Sequence, residues 1–576
     1  MKEKNLNNIM NSNSMNLFTM LCGYFLSVLG IYTIFQILKF ENCLVLVQIF
    51  AILIPIIIYL INIKNKQSIK KIIIVLSCYL FILLVLPFIF GKTYDLTVDG
   101  NSYHKTAIAF IKNGWNPIYE SSEKFQQGND DIIKYSKESR IGLWIDHYPK
   151  ATWIVAATMY QMTGNIESGK SINIIFCIML FIIAYNLLQI ILSRRYISLI
   201  ISTLLVANPI TLTQMFTYYV DALMGMCFTI ELLLLLLINP MEKQNRKVWI
   251  CLTGICTMFV NLKYTGLLCS GMIAAIFYFY WIINYHKKND FSRKFGKITL
   301  NFIIVFLLAI LFVGSNSYVK NVIDHKNPLY PIIGKNKVDI ITTMQPKSFG
   351  KKNAVEKFMI SLFSKTENVT YTMEPTLKLP IRVFSSEIKE LILADVRIGG
   401  FGPLFALVMI VNIIVFAISC YLFLKNEKEN IKYILIPLLS IIITIILIGE
   451  SWWARYIPQL YLFPIGTIIL ATYTRKYYKV KMINKLLLYI LLSVICLNTL
   501  TFSYANKTLL KSFIEINKDL KELKHKKSVE LKLGTDGLYG YFYNLKDNNI
   551  KYKEVKKIDS KESRYMYSWR LEVRNK

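Results

Sequence analysis

The chain has 576 residues, 54% of them hydrophobic, with a formal charge of +31 and ten cysteines. Its mean hydropathy of +0.42 exceeds what a soluble domain needs, which excludes an ordinary globular enzyme and indicates a polytopic membrane protein. The positive charge lies in short basic loops and a lysine-rich tail, a membrane-anchoring pattern that gives no reason to invoke nucleic acid.

A bilayer core takes roughly 20 apolar residues per helix, and on that measure the chain reads as about 13 spans. They fall at 16–38, 43–63, 72–90, 171–192, 197–215, 222–239, 248–262, 264–285, 299–315, 401–424, 432–449, 456–472 and 484–503. The polar segment Met1 to Ser14 carries no cleavage site, so the first span is retained. With the N-terminus cytoplasmic, the inner breaks become KNKQSIKK (64–71), SRR (193–195), MEKQNRK (241–247), HKKNDFSRKFGK (286–297), KNEKENIK (425–432) and TRKYYK (474–479). All are basic, as cytoplasmic loops should be. The opposite set comprises the short breaks 39–42, 217–221 and 450–455 and three long segments, 91–170, 316–400 and 504–576. All ten cysteines lie in or beside apolar spans, so neither exported disulfides nor a cysteine metal site is indicated.

Two units follow: a membrane domain, 1–503, with outer loops 91–170 and 316–400, and an extracytoplasmic αβ appendage, 504–576. In the first loop, TAIAFIKNGWNPIY predicts a short surface helix closed at Asn116-Pro117, with Trp115 as an aromatic plug. Residues 151–165 are apolar but too short to span, and are expected along the outer surface. Glu231, in mid-span, is expected to face the bundle.

Chemistry concentrates at the outer face. Asp95 and Asp99 directly follow span 72–90, where an ionisable pair is a functional hypothesis by default. Their spacing of four puts both on one face, and two like charges that close require a cation between them or a raised pKa. Lys150, Arg455 or a divalent metal would serve as that cation, with His104 and His147 nearby in sequence; two separate solvated carboxylates are the alternative.

Asp99-Gly100-Asn101-Ser102-Tyr103-His104-Lys105-Thr106-Ala107 resembles the acidic first-loop motif of the GT-C glycosyltransferase superfamily, which includes protein O-mannosyltransferases and aminoarabinose transferases. In that pattern an Asp-Glu pair is followed by Tyr and Ala; the Asp, Tyr and Ala are present here and Gly100 replaces the Glu. Asp146-His147-Tyr148-Pro149-Lys150 resembles the Tyr-Pro element of these enzymes, with Lys150 in place of a second Pro. Trp453-Ala454-Arg455-Tyr456-Ile457-Pro458 resembles their late Arg-Tyr element. The resemblance covers residues 72 to about 475 and implies an all-α, GT-C-like membrane enzyme of the cell (plasma or inner) membrane, with site and C-terminus extracytoplasmic. The implied reaction moves a sugar from a polyprenyl-phosphate donor to a lipid, protein or cell-wall acceptor.

Such a leaving phosphate departs without a proton, so one carboxylate suffices and no cofactor is required, unlike the acid and base pair of glycoside hydrolysis. Asp99 is the expected base and Asp95 its substitute. Arg455 is the first candidate for the donor phosphate, since guanidinium grips phosphate bidentately. Lys263, Lys150, His147, Tyr103 and Asp221 are further donor-phosphate or sugar candidates. Trp452 and Trp453 read either as stacking platforms or as interfacial anchors. Arg397 with Gly399, Gly400 and Gly402 reads as a rim or a re-entry turn. A flippase for lipid-linked glycans and a glycan polymerase or ligase are the competing functions; the first wants broken acidic spans and internal repeats, the second a large late loop.

Overall fold

The computed structural model describes residues 9–63, 68–334, 337–478, 481–534, 537–558, 563–567 and 570–575. The N-terminal charges of Met1 to Lys4, the first half (64–67) of the basic break at 64–71 and Lys479 lie outside the described residues.

Among the described residues, eight helices are long and apolar enough to cross a membrane. They include α1 (Asn13–Ile37), α2 (Leu44–Ile61) and α3 (Ile69–Phe90). After the first loop, with its helices α4 (Lys105–Lys112) and α5 (Ala151–Thr163), comes α6 (Ser171–Leu192), the main part of the fourth. Next come α7 (Arg195–Val206), α8 (Asp221–Leu236), α9 (Arg246–Val260), and the long α10 (Tyr264–Tyr285) and α11 (Phe291–Asn316). Long α12 (Phe405–Glu427) is followed by α13 (Lys432–Ile448), α14 (Leu462–Tyr477) and α15 (Met482–Lys524).

Five expected spans thus become the shorter helices α7, α8, α9, α13 and α14, of 12, 16, 15, 17 and 16 residues. At about 1.5 Å per residue each is roughly 18–26 Å long. Three stop at polar or turn residues: Ala207 before Asn208-Pro209, Asn261 before Lys263, and Gly449 at φ +76°. The break at Asn261 to Lys263 makes α9 and α10 two helices that pack on each other, as a hairpin requires. Gly266 permits their close approach, because a Cβ there would run into the Phe259 carbonyl.

Two first-loop expectations are corrected. Helix α5 does not lie on the surface: every residue from Ala151 to Tyr160 is buried, and the helix packs against α4, α1 and α2. Helix α4 is likewise buried from Lys105 to Ile111. Helix α5 is apolar nearly all round, and such helices go inside, whereas α4 buries even Lys105 because that residue pairs with Glu167. Trp115 is 1% exposed and donates to the Glu120 carbonyl at 3.2 Å, closing the turn.

Residue 503, the expected end of the membrane domain, lies inside a helix. Helix α15 runs 43 residues without a break, and its second half supplies Leu509, Phe513, Ile516, Leu520 and Leu523 to the core of the C-terminal unit. That unit adds strands β1 (Val529–Leu533), β2 (Tyr552–Glu554), β3 (Ser563–Met566) and β4 (Leu571–Asn575), and helix α16 (Gly540–Asp547). The sheet order is β2-β1-β4-β3, with β1 parallel to β2 and the other pairs antiparallel.

Candidate active site

Five segments distant in sequence meet at one end of the bundle. Asp99 follows α3, Asp221 starts α8, Lys263 precedes α10, Asp395 lies ahead of α12, and Arg455 joins α13 to α14. Arg455 is the hub. Its Nε lies 3.0 Å from Asp395 Oδ1, and its Nη1 lies 3.6 Å from Asp221 Oδ2 and 3.8 Å from Asp99 Oδ2. The guanidinium sits 4.7 Å from the ring centres of Tyr219 and Trp453 and 5.2 Å from that of Tyr456. None of its charged contacts has hydrogen-bond geometry among the described residues.

Asp221 is held more tightly. Lys263 Nζ donates to its Oδ1 at 3.0 Å and Gln214 Nε2 to its Oδ2 at 3.3 Å, and with Arg455 at 3.6 Å the carboxylate stands between two cations. Trp453 Nε1 donates to Asp395 Oδ1 at 3.0 Å. Trp452 and Trp453 are 1% and 2% exposed, stacked at 5.3 Å, which corrects the reading of both as interfacial anchors. Gly399 and Gly402 take φ +59° and +102° in the re-entry turn, and Arg397 donates to the Val369 carbonyl at 2.9 Å.

Asp99 differs from its neighbours. Its carboxylate accepts no hydrogen bond among the described residues, and 32% of the side chain is open although protein surrounds it. Burial pushes its pKa above the usual carboxylate range, Arg455 opposes, and Asp395 and Asp221 add to the rise. Tyr103 and Tyr148, edge to face at 6.1 Å, have their phenols pushed up by burial and by the Asp99 charge. The hydroxyls of Tyr103, Tyr148, Tyr219 and Tyr456 make no hydrogen bond among the described residues, so the recess offers unfilled polar groups around one free carboxylate.

Three expected site residues are placed elsewhere. Asp95 is fully buried: its Oδ1 accepts from Thr97 N at 2.8 Å and Oγ1 at 2.6 Å, and its Oδ2 from Tyr218 N at 2.7 Å. With both oxygens committed it builds the turn that presents Asp99. It also accounts for the motif's departure at Gly100, since a Cβ there would run into Asp95 Oδ2. Lys150 is 1% exposed and spends all three protons on the carbonyls of Asp146 (2.9 Å), Tyr148 (2.8 Å) and Asn316 (3.1 Å). Burial pushes it down to about 7. It leaves no proton for a phosphate. His147 pairs through Nδ1 with Asn321 Oδ1 at 2.8 Å and packs on His325 and Tyr330, and burial pushes it down to about 4.

Sequence reasoning missed Asp395, nearly 300 positions from Asp99 in a segment noticed for its glycines and Arg397. It also missed Glu167, whose carboxylate is buried between Lys105 (2.5 Å) and Lys170, all three side chains at 0% exposure. Glu231 faces the bundle as expected and accepts from Ser270 Oγ at 3.1 Å. Among the described residues no three His, Cys, Asp or Glu side chains group as a metal set; the acidic cluster closes on Arg455 and Lys263 instead.

The fold and cluster define a helical membrane protein with a carboxylate-rich recess, organised by one arginine, where the inter-helix loops converge. No known protein family matches the chain, and no curated protein does.

Proposed function

We propose that the protein is a GT-C-type integral membrane glycosyltransferase, crossing the bilayer about 13 times, that moves a sugar from a polyprenyl-phosphate donor to an envelope acceptor on the outer face. The observation that carries this reading is the Asp99 carboxylate: free of hydrogen bonds among the described residues, its pKa raised by burial, and 3.8 Å from the Arg455 guanidinium. In the proposed step the acceptor hydroxyl gives its proton to Asp99 as its oxygen bonds to the anomeric carbon. The carbon–oxygen bond to phosphate breaks on the opposite face, so the configuration inverts. Arg455 and Lys263 carry the phosphate charge, and the free phenols bind sugar hydroxyls. The N-terminus is then cytoplasmic and the recess extracytoplasmic.

The pairing of loops supports the span count. Leaving the loop helices aside, the segments that reach Arg455 are separated by the pairs α6–α7, α8–α9, α10–α11 and α12–α13, and every pair but α10–α11 contains a short helix, which we read as a return leg. The test is mass spectrometry of envelope glycans in cells carrying the native protein or Asp99→Asn at matched membrane levels. Loss of one sugar substituent with accumulation of its lipid-linked donor is expected. No change in any glycan, with the variant expressed and another phenotype lost, sinks the reading in favour of transport. Asp395 favours a glycan polymerase or ligase as the second reading, because it brings the long segment 316–400 into the site. Shortened polymers, in place of a lost substituent, would select it.

A further inference from the structure

The polypeptide from Lys92 to Lys105, which carries Asp99, is bracketed by the C-terminal unit at both ends. At the first end, Asn517 on α15 donates to the Lys92 carbonyl at 2.9 Å and accepts from the Tyr94 hydroxyl at 3.0 Å. At the other, Asn544 on α16 joins the buried Lys105–Glu167 pair. Its Oδ1 accepts from Lys105 Nζ at 3.1 Å and its Nδ2 donates to Glu167 Oε1 at 2.9 Å. Lys105 Nζ also donates to Asn101 Oδ1 at 2.8 Å, and Asn101 Nδ2 donates to the Asp95 and Thr97 carbonyls at 2.9 and 2.8 Å. A continuous chain of buried hydrogen bonds therefore runs from α16 into the turn two residues from Asp99. The backbones also meet closely: a Cβ on Gly540 would lie 2.6 Å from Asn101 Cα and 2.8 Å from its carbonyl oxygen. Asp547 completes the dock, accepting from the Tyr160 hydroxyl at 2.5 Å and from Ile166 N at 2.7 Å.

We infer that the C-terminal αβ unit is a positioning module for Asp99, with Asn544 and Asn517 as its positioning residues. An exposed cap on the bundle needs none of these contacts. A unit that merely recruits an acceptor does not require its own helix wedged against the catalytic turn with no room for a methyl group. Buried networks of charged and amide groups act together because an unpaired member is costly, so loosening one contact frees the turn beyond its own hydrogen bond. The role in turnover rests on the reading of Asp99 as the working carboxylate; the mechanical role does not.

The test is amide hydrogen exchange of the full-length protein in lipid nanodiscs, comparing the native chain with Asn544→Leu, Gly540→Ala and the control Lys553→Ala on an exposed strand position. Exchange across 95–104 is expected to quicken about tenfold or more in the first two and to stay native in the control. A second arm inserts a protease site at 525–528 and asks whether the cut unit remains bound; it should stay on native protein and leave Asn544→Leu. Native exchange at 95–104 in both dock variants, or after release of the cut unit, overturns the inference, and a variant that fails to insert is replaced by the cut native protein. For sugar transfer, a fall in kcat with KM unchanged in Asn544→Leu marks positioning. Faster exchange with unaltered transfer leaves the bracket standing and removes Asp99 as the base.

Discussion

Arg455 Nη1 stands 3.8 Å from Asp99 Oδ2, close enough to stabilise the carboxylate's charge and beyond hydrogen-bonding distance. The pair is attractive without being closed, so an incoming hydroxyl finds an acceptor whose lone pairs are unspent. Asp395 and Asp221, by contrast, each accept a hydrogen bond from a neighbouring side chain.

If Asp99 takes the acceptor proton, Asp99→Asn lowers turnover by roughly two to four orders of magnitude. Expression and detergent-extracted size should not change, because no folded-state hydrogen bond to the carboxylate is lost. Donor turnover at matched protein levels measures it.

Arg455 lowers the Asp99 pKa against the raising effect of burial. The base works only when deprotonated, so activity rises with pH through the Asp99 pKa. Arg455→Gln removes the opposing charge and should move this acid limb up by about one unit or more, besides weakening donor binding. A pH–rate profile that loses height without moving would separate Arg455 from Asp99.

Lys150 holds three carbonyls, so Lys150→Ala should cost about 2–4 kcal/mol of stability through orphaned acceptors. The KM for donor should stay native in the folded fraction. Thermal melting paired with donor titration distinguishes this from phosphate binding, which would reverse the two effects.

Asp547 tests the docked tail by pH. Burial pushes it up to about 6, while the Tyr160 hydroxyl and Ile166 amide pull it back. Its folded pKa exceeds its ordinary value, so the docked form binds the proton more tightly than the released form. Docking is then strongest below about pH 4 and weakens as pH rises through 6. Proteolysis of the unit at fixed protease activity should quicken over that window, and Asp547→Asn should flatten the dependence.

Much of the membrane plan was legible because long apolar helices announce themselves: each of the eight longest coincides with an expected span, although α11 starts eight residues earlier and α15 runs 21 residues further than hydropathy put them. Asp99, Arg455, Lys263 and Asp221, singled out in the sequence because each interrupts or bounds an apolar run, do lie together in the structure. What sequence could not rank was local use. Asp95 and Asp99 share a motif, yet a neighbouring Thr97 hydroxyl and the Tyr218 amide consume one and leave the other free. Lys150 and His147 looked like ligands for phosphate and became internal supports, because a cation's partners depend on which carbonyls the fold brings to it.

The sequence by itself determined the apolar helices, the basic and non-basic alternation of their loops, and the presence of an αβ unit at the C-terminus, all of which follow from local composition and period. Only the tertiary structure decided that Asp395 joins Asp99 at Arg455, that α5 is core, and that α16 is wedged under the Asp99 turn. Those outcomes depend on contacts across tens to hundreds of residues, and no local pattern encodes which buried charge will meet which partner.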